Sequence, residues 1–195
     1  MALLKRSGRV RRRARAWWLL LAAITPPRLS AQQSGPLEYR VKAAYLLNFT
    51  RYVEWPSRAF AAPSDPLRVC VLGSDPFGEA LEQTFAGRTA QGRRITVSRV
   101  EAAAQARDCH LVFISHDEWR RHPDVLAAVQ SPGVLTVGEG SGFAESGGVL
   151  SFVPVQRTVR FAVNLDASNH ARLRISSRML ELAAEFHGRT RGAGP

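Results

Sequence analysis

RVCVLGSDPFGEALEQTFAG, residues 68–87, is the stretch on which the fold turns. Its opening RVCVLG is a short apolar run, the mark of a buried strand. Asp75 then offers an N-cap, Pro76 suits the first helical position, and Gly87 closes the helical pattern. A buried strand feeding directly into a helix is the first part of a βαβ unit. The same alternation continues downstream. RITVSRV (94–100) alternates as a strand, EAAAQAR (101–107) reads as a short helix, and HLVFIS (110–115) as a third strand. DEWRRHPDVLAAVQ (117–130) is helical, and Pro123 predicts that its start lies near His122. GVLTVGE (133–139) is a fourth strand, and GSGFAESGG (140–148) a glycine-rich turn holding one helical turn. VLSFV (149–153) and TVRFAVNL (158–165) form a hairpin around PVQR, and SSRMLELAAEF (176–186) reads as the last helix.

Strands alternating with helices at this spacing imply right-handed crossovers and a mainly parallel sheet covered on both faces. The expected architecture is a single α/β domain with sheet order about 2-1-3-4. The antiparallel hairpin then forms the C-terminal edge. The sequence contains no internal repeat.

Working outward, AAYLLNFTRYVEWP (43–56) belongs to a first helix expected over 38–55 and stopped by Pro56. Lys42, Asn48, Thr50, Arg51 and Glu54 scatter around its circumference, and no clean polar face results. Those polar residues exclude a membrane span. The helix is expected against the sheet and a neighbouring element, its role being either core or a seam to a partner. Arg51 and Glu54, three apart, could pair on its side.

The N-terminus carries a different signal. Seven basic residues and no acid precede AWWLLLAAI (16–24), which Pro26 and Pro27 follow. That is the order of a secretory signal peptide, expected over 1–31 with Ala31 before the cut. Leu29 fits the recognition position two residues earlier poorly. Arg11, Arg12 and Arg13 leave a twin-arginine route open. Residues 32–37 then form a polar lead-in, 38–187 the domain and 188–195 a disordered tail. The expected location is the periplasm, with no membrane insertion once the signal is cleaved.

Removing the signal changes the charge. Of the 27 Lys and Arg it holds eight, and it holds none of the 16 acids, so +11 falls to +3. A nucleic-acid footprint needs a basic stripe on the folded domain, and +3 over 164 residues does not suggest one. A chain of that size can bury about 70% of its unfolded surface.

Cys70 and Cys109 are the two cysteines of the chain. An even pair in an oxidising compartment reads as a disulfide. In the order 2-1-3-4 the strands that carry or adjoin them are neighbours, about 4.8 Å apart, within the roughly 4.4–6.8 Å between Cα atoms that a bridge needs. The bond is either a plain staple or a redox-sensitive link whose loss loosens the fold.

Chemistry is harder to find. His116 and His122 are six residues apart and poorly placed to share a metal on a helix. No H-x-x-x-H, C-x-x-C or H-E-x-x-H pattern occurs, and no metal or cofactor is expected. GEGSG (138–142) lacks the lysine of a phosphate loop and a long following helix. GSDPFG (73–78) offers free backbone N–H groups at a helix start, as any βα unit does. No set of nucleophile, base and orienting group stands out, so the expected protein is not an enzyme.

Taken in order, VKAAYLLNFTRYVEWP (41–56), RVCVLGSDPFGEAL (68–81), GRRITV (92–97), CHLVFIS (109–115), VLTVGEGSGFAESGGVLSFV (134–153), VRFAVNLDA (159–167) and LRISSRMLELA (173–183) resemble the YfiR/HmsC-like family. The resemblance spans about residues 38–186. It implies a periplasmic regulator that represses an inner-membrane diguanylate cyclase by binding its periplasmic sensor domain. Release would raise cyclic di-GMP and favour biofilm. It also implies homodimers, redox modulation and a bridge between Cys70 and Cys109. Some relatives carry a second cysteine pair near GGVLSF, where this chain has Gly147, Gly148, Val149 and Ser151. That departure weakens a switch resting on a second bridge and shifts weight toward the staple.

Two further readings stay in play. One is a periplasmic small-ligand-binding module using the strand ends near 73–78 and 138–142. The other is an α/β enzyme, which a closed pocket gathering a His with Ser or Asp would revive. For a partner surface the expected places are the hairpin 149–165 and RLRIS (172–176). Phe152, Arg172, Arg174 and Ile175 are the named candidates, because edges and junctions keep apolar groups exposed.

Overall fold

Four apolar runs meet at the centre of the molecule. A computed structural model describes residues 34–156 and 158–188. The expected signal segment and the tail beyond Gly188 lie outside the described residues. In chain order the elements begin with α1 (Ser34–Tyr52), β1 (Val53–Glu54), β2 (Leu67–Leu72), α2 (Glu79–Phe85), β3 (Thr89–Ala90), β4 (Arg93–Val100) and α3 (Ala103–Ala106). They continue with β5 (Leu111–Ile114), α4 (His116–Arg121), α5 (Val125–Val129), β6 (Leu135–Glu139) and α6 (Ser141–Glu145). Last come β7 (Leu150–Val155), β8 (Thr158–Asn164), α7 (Leu165–His170), β9 (Arg174–Ile175), α8 (Ser177–Leu180) and β10 (Glu185–His187).

Among the described residues the main sheet has the order β10-β8-β7-β6-β5-β2-β4-β3. Its middle, β4-β2-β5-β6, is parallel and is the expected 2-1-3-4. β7 pairs parallel with β6, and β8 returns antiparallel as the hairpin. The apolar runs are continuous because both faces are covered. Val69, Val71, Leu111, Phe113, Leu135 and Val137 meet α1 and α2 through Leu46, Phe49, Leu81 and Phe85. Cys70, Leu72, Val112 and Ile114 meet Ala106, Val125, Leu126, Val129 and Phe143 on the other face. Gly138 and Gly148 allow the second layer to close: a Cβ at either would fall within 2.4 Å or 2.1 Å of the Phe143 ring.

The first helix presents one buried stripe, Ala43, Leu46, Leu47, Phe49 and Thr50, with Lys42 at its start. It packs on the sheet and beside α2. It ends at Tyr52, short of the expected Trp55. Val53 and Glu54 become a strand that pairs with β9, Val53 opposite Ile175 and Glu54 opposite Arg174. Glu54 therefore faces Arg174 rather than Arg51. Trp55 is 8% exposed, and its indole Nε1 donates to the His110 carbonyl at 3.1 Å. This tie pulls the chain out of the helix before Pro56 acts.

Three other elements differ from expectation. Asp75 caps no helix: its Oδ1 accepts from the Phe77 N–H in a tight turn, and α2 begins at Glu79. The helix over 117–130 is two pieces. Ser115 caps α4 by accepting from the Glu118 N–H, and α5 starts after Pro123, at Val125. The expected last helix shrinks to α8, capped by Ser176. Residues 181–184 form a turn, and the chain then enters β10, parallel to β8 with Glu185 opposite Ala162 and His187 opposite Asn164. The hairpin is thus not the sheet edge. An uncovered β8 would expose a row of backbone donors and acceptors, and pairing with them outweighs the helical preference of Leu, Ala and Glu.

Candidate functional site

The parallel strands β2, β5, β6 and β7 end on the same side, and their loops surround a cleft of about 1060 Å³. The chain reverses its winding between β2 and β5, because β4 lies on one side of β2 and β5 on the other. In open α/β sheets ligands bind in the crevice at this point, outside the carboxyl ends of the strands. Ser74 and Pro76 follow β2, Ser115, His116 and Asp117 follow β5, and Glu139 and Gly140 close β6. The first turns of α1 form the roof.

The turn after β2 is tight. Gly73 has φ +84°, and a Cβ there would lie 2.7 Å from Ser115 Oγ and from the Glu118 Cβ. A glycine is therefore required to bring the first turn of α4 against the mouth of the cleft.

The cleft holds a charged network. Lys42 is 6% exposed and Glu139 8%. Lys42 Nζ lies 2.5 Å from Glu139 Oε1 and 2.5 Å from Glu38 Oε1, one helical turn earlier. The Tyr39 hydroxyl donates to Glu139 Oε2 at 3.3 Å. Lys42 Nζ also sits 4.3 Å from the centre of the Tyr39 ring, a cation–π distance. Burial raises the Tyr39 pKa first, and the charges of Glu139, Glu38 and Asp117 raise it further. Tyr39 thus stays a neutral donor. Its ring stands edge-on to Phe77 at 5.4 Å, and Phe77 in turn to Phe113 at 4.8 Å, which ties the site to the core.

At the amino ends of the strands the chemistry is different. Cys70 and Cys109 are bridged, Cα atoms 6.1 Å apart, with the two residues 1% and 5% exposed. Next to the bridge, His110 stacks on Phe60 at 4.2 Å. Its Nδ1 accepts from the Arg68 N–H at 3.0 Å, and its Nε2 donates to the Ala59 carbonyl at 2.9 Å. Both nitrogens serve the backbone, and burial lowers the pKa. His110 is a neutral structural group with no lone pair left for base chemistry. Among the described residues no group of three His, Cys, Asp or Glu is placed to hold a metal. No described helix is long and apolar enough to cross a membrane.

The four partner-surface candidates differ in exposure and in their relation to the cleft. Phe152 is 2% exposed, stacks on Phe49 at 5.8 Å and lines the cleft. None of the other three lines it. Arg172 is exposed, with φ +56°. Arg174, its side chain 87% exposed, and half-buried Ile175 form β9. The strand ends near 73–78 and 138–142, expected for a ligand module, do both reach the cleft through Ser74, Pro76, Glu139 and Gly140. Lys42 and Tyr39 were not legible as site residues. The spacing Glu38–Lys42 was the available signal, but a solvent-facing helical pair looks the same.

Two solved structures are similar to parts of this chain. A conserved domain protein from Vibrio cholerae O1 biovar El Tor is 12% identical over 62% of this chain and 54% of that chain, with a TM-score of 0.45. The ABC domain from Streptococcus pneumonia, solved in complex with L-Trp, is 11% identical over 74% of this chain and 60% of that chain, with a TM-score of 0.52. The chain thus spans little more than half the length of these structures, and at such identity the second likeness concerns the fold alone. A family described as YfiR/HmsC-like matches residues 39–184, from the second turn of α1 to the threshold of β10. With nearly all of the described domain inside that match, the chain belongs to the YfiR/HmsC-like family, which supports a role of the periplasmic-regulator kind.

Proposed function

We propose that this protein is a non-enzymatic periplasmic regulator that represses an inner-membrane diguanylate cyclase by binding its periplasmic domain. The family match over 39–184 carries the reading. Two structural features support it. The one well-placed histidine of the interior, His110, is spent on backbone hydrogen bonds. The cleft wall also carries Ser74, Ser115, His116 and Asp117, but Ser115 is used as the cap of α4, and among the described residues no hydrogen bond joins either serine hydroxyl to His116.

The buried bridge between Cys70 and Cys109 holds β2 to the start of β5. In this reading it keeps the repressor folded, and reduction acts by loosening the body that the partner recognises. The test joins two measurements. Purified mature protein is mixed with the periplasmic domain of a diguanylate cyclase encoded beside its gene, in oxidising and reducing buffer. Cyclic di-GMP is measured in cells with and without the gene. Binding in oxidising buffer and raised cyclic di-GMP on deletion are expected. No binding in either buffer, with unchanged cyclic di-GMP, removes the reading.

A further inference from the structure

We propose that the cleft at the carboxyl ends of the strands is an effector site for a small organic cation, an amine on an apolar or aromatic body. This goes beyond the regulator reading by giving the protein a chemical input. It stands on binding by this chain alone.

Three observations converge. The cavity, about 1060 Å³, lies at the switch point of the sheet, and its size is ample for a small molecule, for which about 300–1,000 Å³ is usual. Its mouth is apolar. Leu37 and Val41, 63% and 39% exposed, stand one helical turn apart along its rim, and both are large hydrophobic side chains left in water. Its charge is unbalanced. Glu38, Asp117 and Glu139 all act on the Tyr39 hydroxyl, and Lys42 is the one lysine or arginine lining the cavity against them.

Charge complementarity selects the occupant. Lys42 is held between Glu38 and Glu139, so three carboxylates of the lining face one lysine, while Arg121, outside the lining, bonds the backbone carbonyl of Asp117 and makes no ion pair with its carboxylate. Low-dielectric walls concentrate that negative potential within the cleft. A carboxylate or phosphate would meet it with the wrong sign. An ammonium beside Glu38 and Asp117 would satisfy it. The apolar body would then lie along Leu37, Val41 and Phe152, with the rings of Tyr39 and Phe152 adding cation–π attraction.

The experiment is calorimetric titration of the mature protein with phenethylamine and, in parallel, phenylacetate, with thermal melts alongside. A ligand that binds only the folded state raises Tm. Saturable binding of the amine and a raised Tm are expected, with no response to the acid. Salt at about 0.5 M should weaken binding by screening. Glu38→Gln with Asp117→Asn should weaken it roughly tenfold or more, the worth of about one lost charge contact. Glu38 also pairs with the buried Lys42, so the unliganded melt of the double variant is recorded and affinity is compared at a temperature where both proteins are folded, with Asp117→Asn alone, at an exposed position, as the second variant. On the unaltered protein the backbone amides of Ser115 and Gly140 should shift on titration. No saturable amine binding, equal binding of phenylacetate, or undiminished affinity in the double variant would each overturn the proposal. Loss of cyclase binding would leave it standing, so the two readings fail separately.

Discussion

The two ends of the parallel strands solve the same problem in opposite ways. Both must terminate backbone and polar groups next to an apolar core. At the amino end the solution is closure. Trp55 donates to the His110 carbonyl, His110 bridges Arg68 and Ala59, and Arg93 reaches back to the carbonyls of Ala62, Pro63 and Asp65. A disulfide lies in the same region. At the carboxyl end the solution is an open cleft with a buried ion pair of Lys42 and Glu139. Closure spends side-chain donors, the Arg93 guanidinium among them, on backbone carbonyls, whereas the open end pairs charge with charge. A protein that needed only stability would have little reason to keep that charge, since a buried pair is weak evidence of stabilisation. The difference is one reason why the carboxyl end is proposed as the working face.

The comparison can be broken most forcefully at the closed end. Replacing Cys70 and Cys109 by alanine frees a loop with sequence separation 39. The expected loss is about 4 kcal/mol in the chain-entropy model, read by urea unfolding. A loss below about 1 kcal/mol would show that the tryptophan and histidine ties suffice. At the open end, Lys42→Ala should cost about 3 kcal/mol because it strands Glu139 in the interior. Lys42→Met with Glu139→Leu should recover most of that loss, since both charges leave together. Failure of the double variant to recover would make the pair structural and not merely tolerated.

The two ends should also differ in pH response. His110 has a lowered pKa in the folded state, caused first by burial, with Arg68 and Arg93 lowering it and Asp65 and the Ala59 carbonyl opposing. The unfolded chain therefore takes up the proton first. Stability is complete above about pH 6.5, the unfolded value, and falls as pH drops from there toward the folded value. His110→Gln should flatten this part of the profile in thermal melts, at a cost of about 1–2 kcal/mol at neutral pH for the disturbed hydrogen bonds. An unchanged slope would assign the acid sensitivity elsewhere. The smallest effect is expected at the exposed pair of Glu54 and Arg174, 4.0 Å apart. Glu54→Gln should change stability by less than about 1 kcal/mol, and a larger loss would mean that the β1–β9 ribbon depends on that pair.

The legible parts share a physical cause. Strand centres such as Val69–Leu72 and Leu111–Ile114 are apolar at every residue because helices cover both faces, and that pattern is local. It predicted the central order β4-β2-β5-β6 and, through it, the reach of Cys70 to Cys109. The lost parts depended on distant backbone. AAEFH carries helical composition, yet Ala184 N–H donates to the Phe161 carbonyl and the next residues line the open edge of β8. α7 had a local signal that went unread: Asn164 accepts from the Ala167 N–H as an N-cap, with Asp166 in the first turn.

By itself, then, the sequence determined the layered α/β body, its parallel centre, the cysteine bridge and the family, because each is written in short runs and fixed spacings. Tertiary structure alone decided the edge strand β10, the ribbon of β1 with β9, and the site. Lys42 and Tyr39 lie on α1 and Glu139 at the end of β6, about a hundred residues away in the chain. A charge becomes a buried charge only when the sheet closes beneath it, and no local pattern records which helix will lie across which strand end.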